Sequence, residues 1–457
     1  MKLPETFLSN MRDLLGADYE LWLASFQEPP CQGLRINTRK ISVPEWERVS
    51  PFGSARVPWT PNGYYVGDKD RPSKDPYYFA GLYYIQEPSA MAPAAILPVR
   101  PGDRVLDLCA APGGKSTQLG AALDGRGILI SNDISNSRAK ALLKNLEMAG
   151  IPNFCVTSET PEKLASVFGS FFDRILVDAP CSGEGMFRRD PDLIKSWEEH
   201  GPEYYVPVQR EILRHAAAML RPDGYLLYST CTFSPSEDEE NIDWLLDEQP
   251  DMELVPIPLW EGACPGIDGK PVIRLFPHRL RGEGHFAALL RKKGQAGQKP
   301  DRLPGKAGLA PAERRRLEKE SDYLQWESMC REPFPRDRMM IRDSQLYLLP
   351  EEFDKGWRLR YLRTGLLLGE WKKDRFEPSQ AAAMALGPAD YRQTLSLDKK
   401  DGRVLRYLKG ETISLEEAEQ PKEKGWVLLC VDGYGLGWAK YAGGSLKNKY
   451  YPGWRWQ

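Results

Sequence analysis

The feature that most constrains this chain is a run of short apolar segments alternating with helix-patterned ones between Arg104 and Lys292. Arg104-Val-Leu-Asp-Leu-Cys109 reads as a buried strand, with Lys115 to Leu123 as the helix behind it. Gly127-Ile-Leu-Ile-Ser-Asn-Asp133 is a second strand. After it, Ala139, Leu142, Leu143 and Leu146 recur at helical spacing until Gly150 closes the helix. Phe154 to Thr157, Arg174 to Asp178 and Gly224 to Ser229 give three further strands. The helix Arg210 to Leu220 is expected to end in the turn Arg221-Pro-Asp-Gly224. Such alternation indicates an α/β fold, a parallel sheet covered on both faces by its connecting helices. His285 to Lys292 is expected to finish the sheet.

At 457 residues the chain is too long for this unit alone. Before it, 1–85 is rich in aromatics, Pro and Arg; the core is assigned to 86–292. A linker of Gly, Ala, Pro, Lys and Gln follows at 293–311, after which globular composition returns, divided here into 312–375 and 376–457. Charged and apolar fractions of 28% and 41% are those of a folded protein. A net charge of −2 argues against a wholesale polycation and leaves any nucleic-acid binding to local patches. The eight cysteines form no Cys-x-x-Cys pair, so no metal site or disulfide framework is expected; reduced thiols in the cytoplasm are the simpler reading. No signal peptide and no apolar run of roughly 18 residues is found, so no membrane partner is expected.

Asp107-Leu-Cys-Ala-Ala-Pro-Gly-Gly-Lys-Ser116 joins the first strand to its helix, where a tight Gly turn lets backbone approach a ligand at the carboxyl edge of the sheet. A phosphate-binding loop needs Gly where Cys109 stands, and the dinucleotide spacing Gly-x-Gly-x-x-Gly is absent. A nucleoside without phosphate fits best. Asp133, about twenty residues after the glycines, is placed to bind both ribose hydroxyls.

Two thiols carry the chemistry. Asp178-Ala-Pro-Cys-Ser-Gly-Glu-Gly185 follows the fourth strand and Ser229-Thr-Cys-Thr-Phe-Ser-Pro235 the fifth, so Cys181 and Cys231 project from neighbouring strand ends into one crevice. A thiolate is what carbon 5 of cytosine needs. Addition to carbon 6 makes an enamine whose carbon 5 attacks a sulfonium methyl. Asp178 is expected to hold the proton that relieves charge at N3, and the second thiol to serve release.

Cys109-Ala-Ala-Pro-Gly-Gly-Lys115, Asp178 to Gly185 and Thr230-Cys231 resemble the signature motifs of the Nol/Nop/Sun (Fmu) RNA cytosine-5 methyltransferases over residues 1 to about 292. The tail, with Gly443-Gly-Ser-Leu-Lys-Asn-Lys-Tyr-Tyr-Pro452, resembles the RsmF (YebU)-like branch and its PUA-like C-terminal region. The resemblance implies a Rossmann-like core dependent on S-adenosylmethionine, a small N-terminal α+β RNA-binding domain, and ribosomal small-subunit RNA as partner, acted on by a monomer. It implies that Cys231 is the nucleophile and that Cys181 assists release. It further implies that Cys109, Ala110, Ala111, Pro112, Gly113, Gly114, Lys115, Asp133, Arg138 and Asp178 bind S-adenosylmethionine. Family members often carry an Asp after the third strand at the adenine edge; Thr157-Ser-Glu-Thr160 has none, leaving Glu159 as substitute.

DNA cytosine-5 methyltransferases use a Pro-Cys nucleophile with a Glu-Asn-Val acid, and Glu240-Asn-Ile242 invites comparison. It lies in an acidic helix start after Thr-Cys, and RNA is preferred. Arg35, Arg39 and Lys40, Trp357 to Arg363, Trp371-Lys-Lys373 and Lys447 to Trp456 mix cations with aromatics, as phosphate contact and base stacking require. Gln86 stands where the N-terminal region leads into the core. Two other readings remain open: a tRNA methyltransferase, and a non-catalytic RNA-binding assembly factor on this scaffold.

Overall fold

The computed structural model describes residues 2–53, 55–294, 308–373 and 375–456; of the expected linker 293–311, residues 295–307 lie outside these. At the N-terminus, helices Glu5–Leu15 and Tyr19–Ser25 precede an antiparallel sheet of β1 (Gly33–Ile36), β2 (Gly63–Tyr65) and β3 (Tyr83–Gln86), ordered β2-β1-β3. The core strands are β4 (Arg104–Asp107), β5 (Ile128–Asn132), β6 (Phe154–Thr157), β7 (Phe172–Asp178) and β8 (Leu220–Thr230), all parallel to their neighbours in this group. Their apolar residues alternate between two hydrophobic layers. Leu106, Ile128, Ile130, Ile175, Val177, Leu226 and Tyr228 face one side, and Val105, Leu129, Val156, Leu176 and Leu227 the other. A strand buried on both faces reads as a continuous apolar run, which is why this part of the sheet was legible.

The sheet extends further than the sequence indicated. After β9 (Met252–Val255), β10 (Ala263–Pro265), β11 (Ile273–Leu275) and β12 (His285–Lys292), the order is β10-β11-β12-β8-β7-β4-β5-β6, with β9 also on β12. His285–Lys292 therefore does not end the sheet; β11 covers its outer edge along Ile273–Leu275. The turn Arg221-Pro-Asp-Gly224 is absorbed into β8 as a bulge, because Leu220 pairs with Phe172 and Tyr225 with Arg174. Asp223 takes φ +63° there.

The larger correction concerns the tail. The return to globular composition after 311 suggests a separate unit, yet part of it is woven into the core. The module contains β13 (Met339–Arg342), β14 (Gln345–Leu348), β15 (Tyr361–Thr364), β16 (Leu366–Lys372) and β17 (Arg375–Pro378). Of these, β15 leaves its neighbours and pairs antiparallel with β6, becoming an edge strand of the core sheet. Tyr347, Leu349 and Phe353 are buried in one hydrophobic layer of the core sheet, and Arg104 pairs with Glu352 at 2.8 Å. Trp357 packs edge-on against Phe168, Phe171 and Phe353, so it is an anchor and not an RNA-stacking platform. The last sheet, β18 (Thr394–Leu397), β19 (Ile413–Ser414), β20 (Gly425–Val431), β21 (Tyr434–Ala442) and β22 (Ser445–Asn448), is ordered β18-β20-β21-β22-β19 and shares a hydrophobic cluster with the N-terminal sheet. Tyr77 donates to Asp432 at 2.7 Å and Tyr434 to Glu45 at 2.7 Å across that contact. Among the described residues no helix is long and apolar enough to cross a membrane.

Candidate active site

The loop after β4 turns on Gly113, whose φ of +111° is open to glycine and strained for other residues, and which caps the helix Gly114–Leu123. A Cβ on Gly114 would come within 2.9 Å of the Tyr84 ring and 3.2 Å of Gln86 Nε2, so the second glycine lets β3 lie directly on the loop. Between them is a cavity of about 210 Å³ bounded by Gln86, Asp107, Cys109, Ala111, Lys115 and Asp178, among others. Asp107 is fully buried. Its Oδ2 accepts from Ser116 at 2.6 Å, while Oδ1 has no partner. Burial pushes its carboxyl up to about 7. An orphaned carboxylate oxygen beside a backbone cradle suits a ligand carrying an ammonium or N–H donor, which S-adenosylmethionine has.

Asp133 and Arg138 act on the same loop from outside that cavity. Asp133 Oδ2 accepts from the Ala111 N–H at 3.3 Å and Oδ1 from Ser135 N–H at 2.9 Å, while Arg138 donates to the Ala111 carbonyl at 3.0 Å. Asp133 Oδ2 also lies 3.6 Å from the Arg138 guanidinium, and Oδ1, with the Ser135 N–H as its donor, keeps a lone pair for a ribose hydroxyl. Glu159 is otherwise employed. Its carboxylate accepts from the Arg360 N–H at 2.6 Å and pairs with the Arg360 guanidinium at 3.1 Å, fastening the tail segment that leads into β15.

Cys181 and Cys231 end adjacent strands with their sulfurs 3.4 Å apart, and no cysteine is in a disulfide. Contact with Cys231, and then burial, push the Cys181 thiol well up, so Cys181 keeps its proton. Two carboxylates absent from the sequence reading pin the two loops together. Glu237 accepts from both Ser182 N–H and Oγ and from Gln209 at 2.8 Å. Glu184 accepts from Thr232 Oγ1 at 2.9 Å and Phe233 N–H at 3.0 Å. Gly185 N–H donates to the Cys231 carbonyl at 2.9 Å, and a Cβ there would collide with that oxygen. The acidic run Glu237-Asp238-Glu239 is thus buried, although Glu240 to Ile242 does lie in the first turn of the helix Glu239–Glu248 as expected.

Asp178 differs from its expected state. Its Oδ2 accepts from Lys115 at 2.7 Å and its Oδ1 from Ser229 at 2.8 Å, with His285 Nε2 3.4 Å away. Burial pushes its pKa up, but Lys115 and His285 outweigh this and hold the carboxyl well below the usual carboxylate range. In the protein alone it is an acceptor and not a stored proton. The signal for His285 was present: the first residue of an antiparallel strand sits at the carboxyl edge of its parallel neighbours.

Arg35, Arg39 and Lys40 do not face solvent as phosphate ligands. Buried Arg35 donates to Gln86, to the Gly114 carbonyl at 2.7 Å and to Thr117 at 2.7 Å, clamping the N-terminal sheet to the cofactor helix. Arg39 donates to the Gly150 carbonyl at 3.2 Å and Lys40 to that of Ala80 at 2.7 Å. Burial lowers the Lys40 ammonium to about 7. The cations there are consumed by domain packing.

A doubly wound sheet with this glycine turn at its carboxyl edge defines a Rossmann-like methyltransferase dependent on S-adenosylmethionine. Comparison with known proteins narrows the class. Residues 94–291 match the model of the 16S rRNA methyltransferase RsmB/F, and residues 3–88 that of the N-terminal domain of 16S rRNA methyltransferase RsmF. Residues 325–386 match the RsmF first C-terminal domain and 394–456 the RsmF PUA domain. Ribosomal RNA small subunit methyltransferase F of Enterobacter sp. (strain 638) is 32% identical over 468 residues, covering 98% of this chain and 95% of that protein. Its namesake in Escherichia coli O139:H28 (strain E24377A / ETEC) is 31% identical, with the same coverage. Among solved structures, a methyltransferase homolog protein from Pyrococcus horikoshii is 31% identical with a TM-score of 0.56, covering 63% of this chain and 95% of that one. NSun6 from the same organism, 23% identical with a TM-score of 0.56 over 64% of this chain and 99% of its own, shares the fold. The chain belongs to the RsmF family of 16S rRNA methyltransferases.

Proposed function

We propose that this enzyme methylates carbon 5 of cytosine in small-subunit ribosomal RNA, through a covalent bond between Cys231 and carbon 6 of the base. The observation that carries the reading is the thiol pair 3.4 Å apart at the carboxyl edge, beside the ionised Asp178. Asp107, the 109–115 backbone, Lys115, Asp133, Arg138 and Asp178 would hold S-adenosylmethionine, which supplies an electrophilic methyl group. Cys231 Sγ, as thiolate, bonds to carbon 6 and makes carbon 5 nucleophilic, so that carbon 5 takes the methyl as the methyl–sulfonium bond breaks. Asp178 accepts a hydrogen bond from the exocyclic amine, which orients the ring and favours a proton on N3 as charge builds there.

Release needs the carbon 5 proton removed and the sulfur–carbon 6 electron pair returned to Cys231. Cys181 is the base for that step. Its thiol proton first passes to solvent; the Cys181 thiolate then takes the carbon 5 proton, the carbon 5–hydrogen electron pair re-forms the ring double bond, and the sulfur–carbon 6 pair returns to Cys231. Every group invoked comes from one chain, so a monomer suffices, and we place the activity in the cytoplasm. Incubation with small-subunit RNA and labelled S-adenosylmethionine, followed by nucleoside analysis, should yield 5-methylcytidine; label on another nucleoside would refute the base assignment.

The loop clasp gives a separate expectation. Asp133→Ala removes an acceptor of the Ala111 N–H together with the expected ribose contact. It should weaken cofactor binding by roughly 1.5–3 kcal/mol, the scale of a charged hydrogen bond, with RNA affinity nearly unchanged. Calorimetry showing full cofactor affinity would remove Asp133 from the site.

A further inference from the structure

The cation–aromatic stretches at 357–363, 371–373 and 447–456 contribute Arg363, Lys372 and Lys449 to one cleft of about 820 Å³. One wall is the outer face of the catalytic-domain helix Asn136–Met148, where Lys140, Leu143, Lys144 and Glu147 recur at helical spacing. The opposite wall is formed by β16, β17 and the C-terminal segment ending at Arg455.

The charges in this cleft do not cancel. Glu147 is taken by Arg363 at 2.7 Å, Glu370 by Lys372 at 2.7 Å, and Glu377 by Lys372 at 3.1 Å and Lys449 at 3.0 Å. Lys140, Lys144 and Arg455, all exposed, have no ion-pair partner among the described residues. A second observation is independent of charge. Tyr451 in the same cleft stands 54% exposed, its ring edge-on to Trp454 at a centroid distance of 6.1 Å.

We infer that this cleft is a two-walled docking groove for the RNA strand that flanks the target. Lys140, Lys144 and Arg455 contact phosphates, and the exposed Tyr451 ring stacks on a base. The inference rests on the RNA-substrate reading and adds that the catalytic domain itself builds half of the recruiting surface. The C-terminal domain alone is therefore an incomplete RNA site.

The test is filter binding of an unmodified small-subunit RNA transcript across a range of salt, using the full chain, Lys140→Glu/Lys144→Glu, and Arg455→Glu. Each variant should bind the transcript at least tenfold more weakly at low salt. The slope of log affinity against log salt should flatten by about 0.7–0.9 for each phosphate contact removed. Melting temperature and calorimetric affinity for S-adenosylmethionine should match the parent. Unchanged affinity and slope in both variants would overturn the groove while leaving the RNA reading intact. Defects seen with assembled small subunits but not with the naked transcript would overturn it in favour of a protein partner. A parent chain that binds the transcript without salt dependence would refute the RNA reading, and the groove with it.

Discussion

Cys181→Ala is expected to accumulate a protein–RNA adduct stable to denaturing electrophoresis, whereas Cys231→Ala should form none and transfer no methyl group. The asymmetry follows from geometry. The two sulfurs lie 3.4 Å apart, close enough for both to reach one base, and contact with Cys231 and burial raise the Cys181 thiol pKa. In the proposed mechanism attack falls to Cys231. With Cys181 gone, carbon 6 is still attacked and carbon 5 still methylated, but the carbon 5 proton has no base and the sulfur–carbon bond persists. Glu237 and Glu184 support the same argument, since they fix the two cysteine loops against each other. An adduct found in Cys231→Ala and absent from Cys181→Ala would reverse the assignment.

Deletion of 300–457 should destroy the folded core and not merely weaken RNA binding. The cut removes β15 from β6 and exposes that edge, and it strips Tyr347, Leu349 and Phe353 from the hydrophobic layer of the core sheet. Burial of each such side chain contributes roughly 1.5–3 kcal/mol, so three of them approach the net stability of about 5–15 kcal/mol typical of a domain. Arg104 and Glu147 also lose the partners Glu352 and Arg363. The truncated chain should be insoluble, or melt well over ten degrees below the full chain and fail to bind S-adenosylmethionine. A truncation that melts within a few degrees of the parent and keeps cofactor affinity would show that the tail contacts contribute little.

The sequence by itself determined the catalytic core. Its parallel strands are buried on both faces, so each had to be a continuous apolar run, and residues at their carboxyl ends had to converge on one crevice. Asp107, Asp178, Cys181 and Cys231 could therefore be placed beside the glycine turn from spacing alone. Only the tertiary structure decided how the polar groups are employed, because the same residue type serves solvent, packing or ligand according to what faces it. Arg35 carries the composition of a phosphate ligand but spends its donors on Gly114, Thr117 and Gln86. Glu237 carries the composition of a solvated helix start but is buried against Ser182. The edge strand β15 was equally hidden. A four-residue segment that departs from its own module to pair with β6 follows no periodicity, and is fixed by the unpaired backbone of that edge together with the aromatic layer around Trp357.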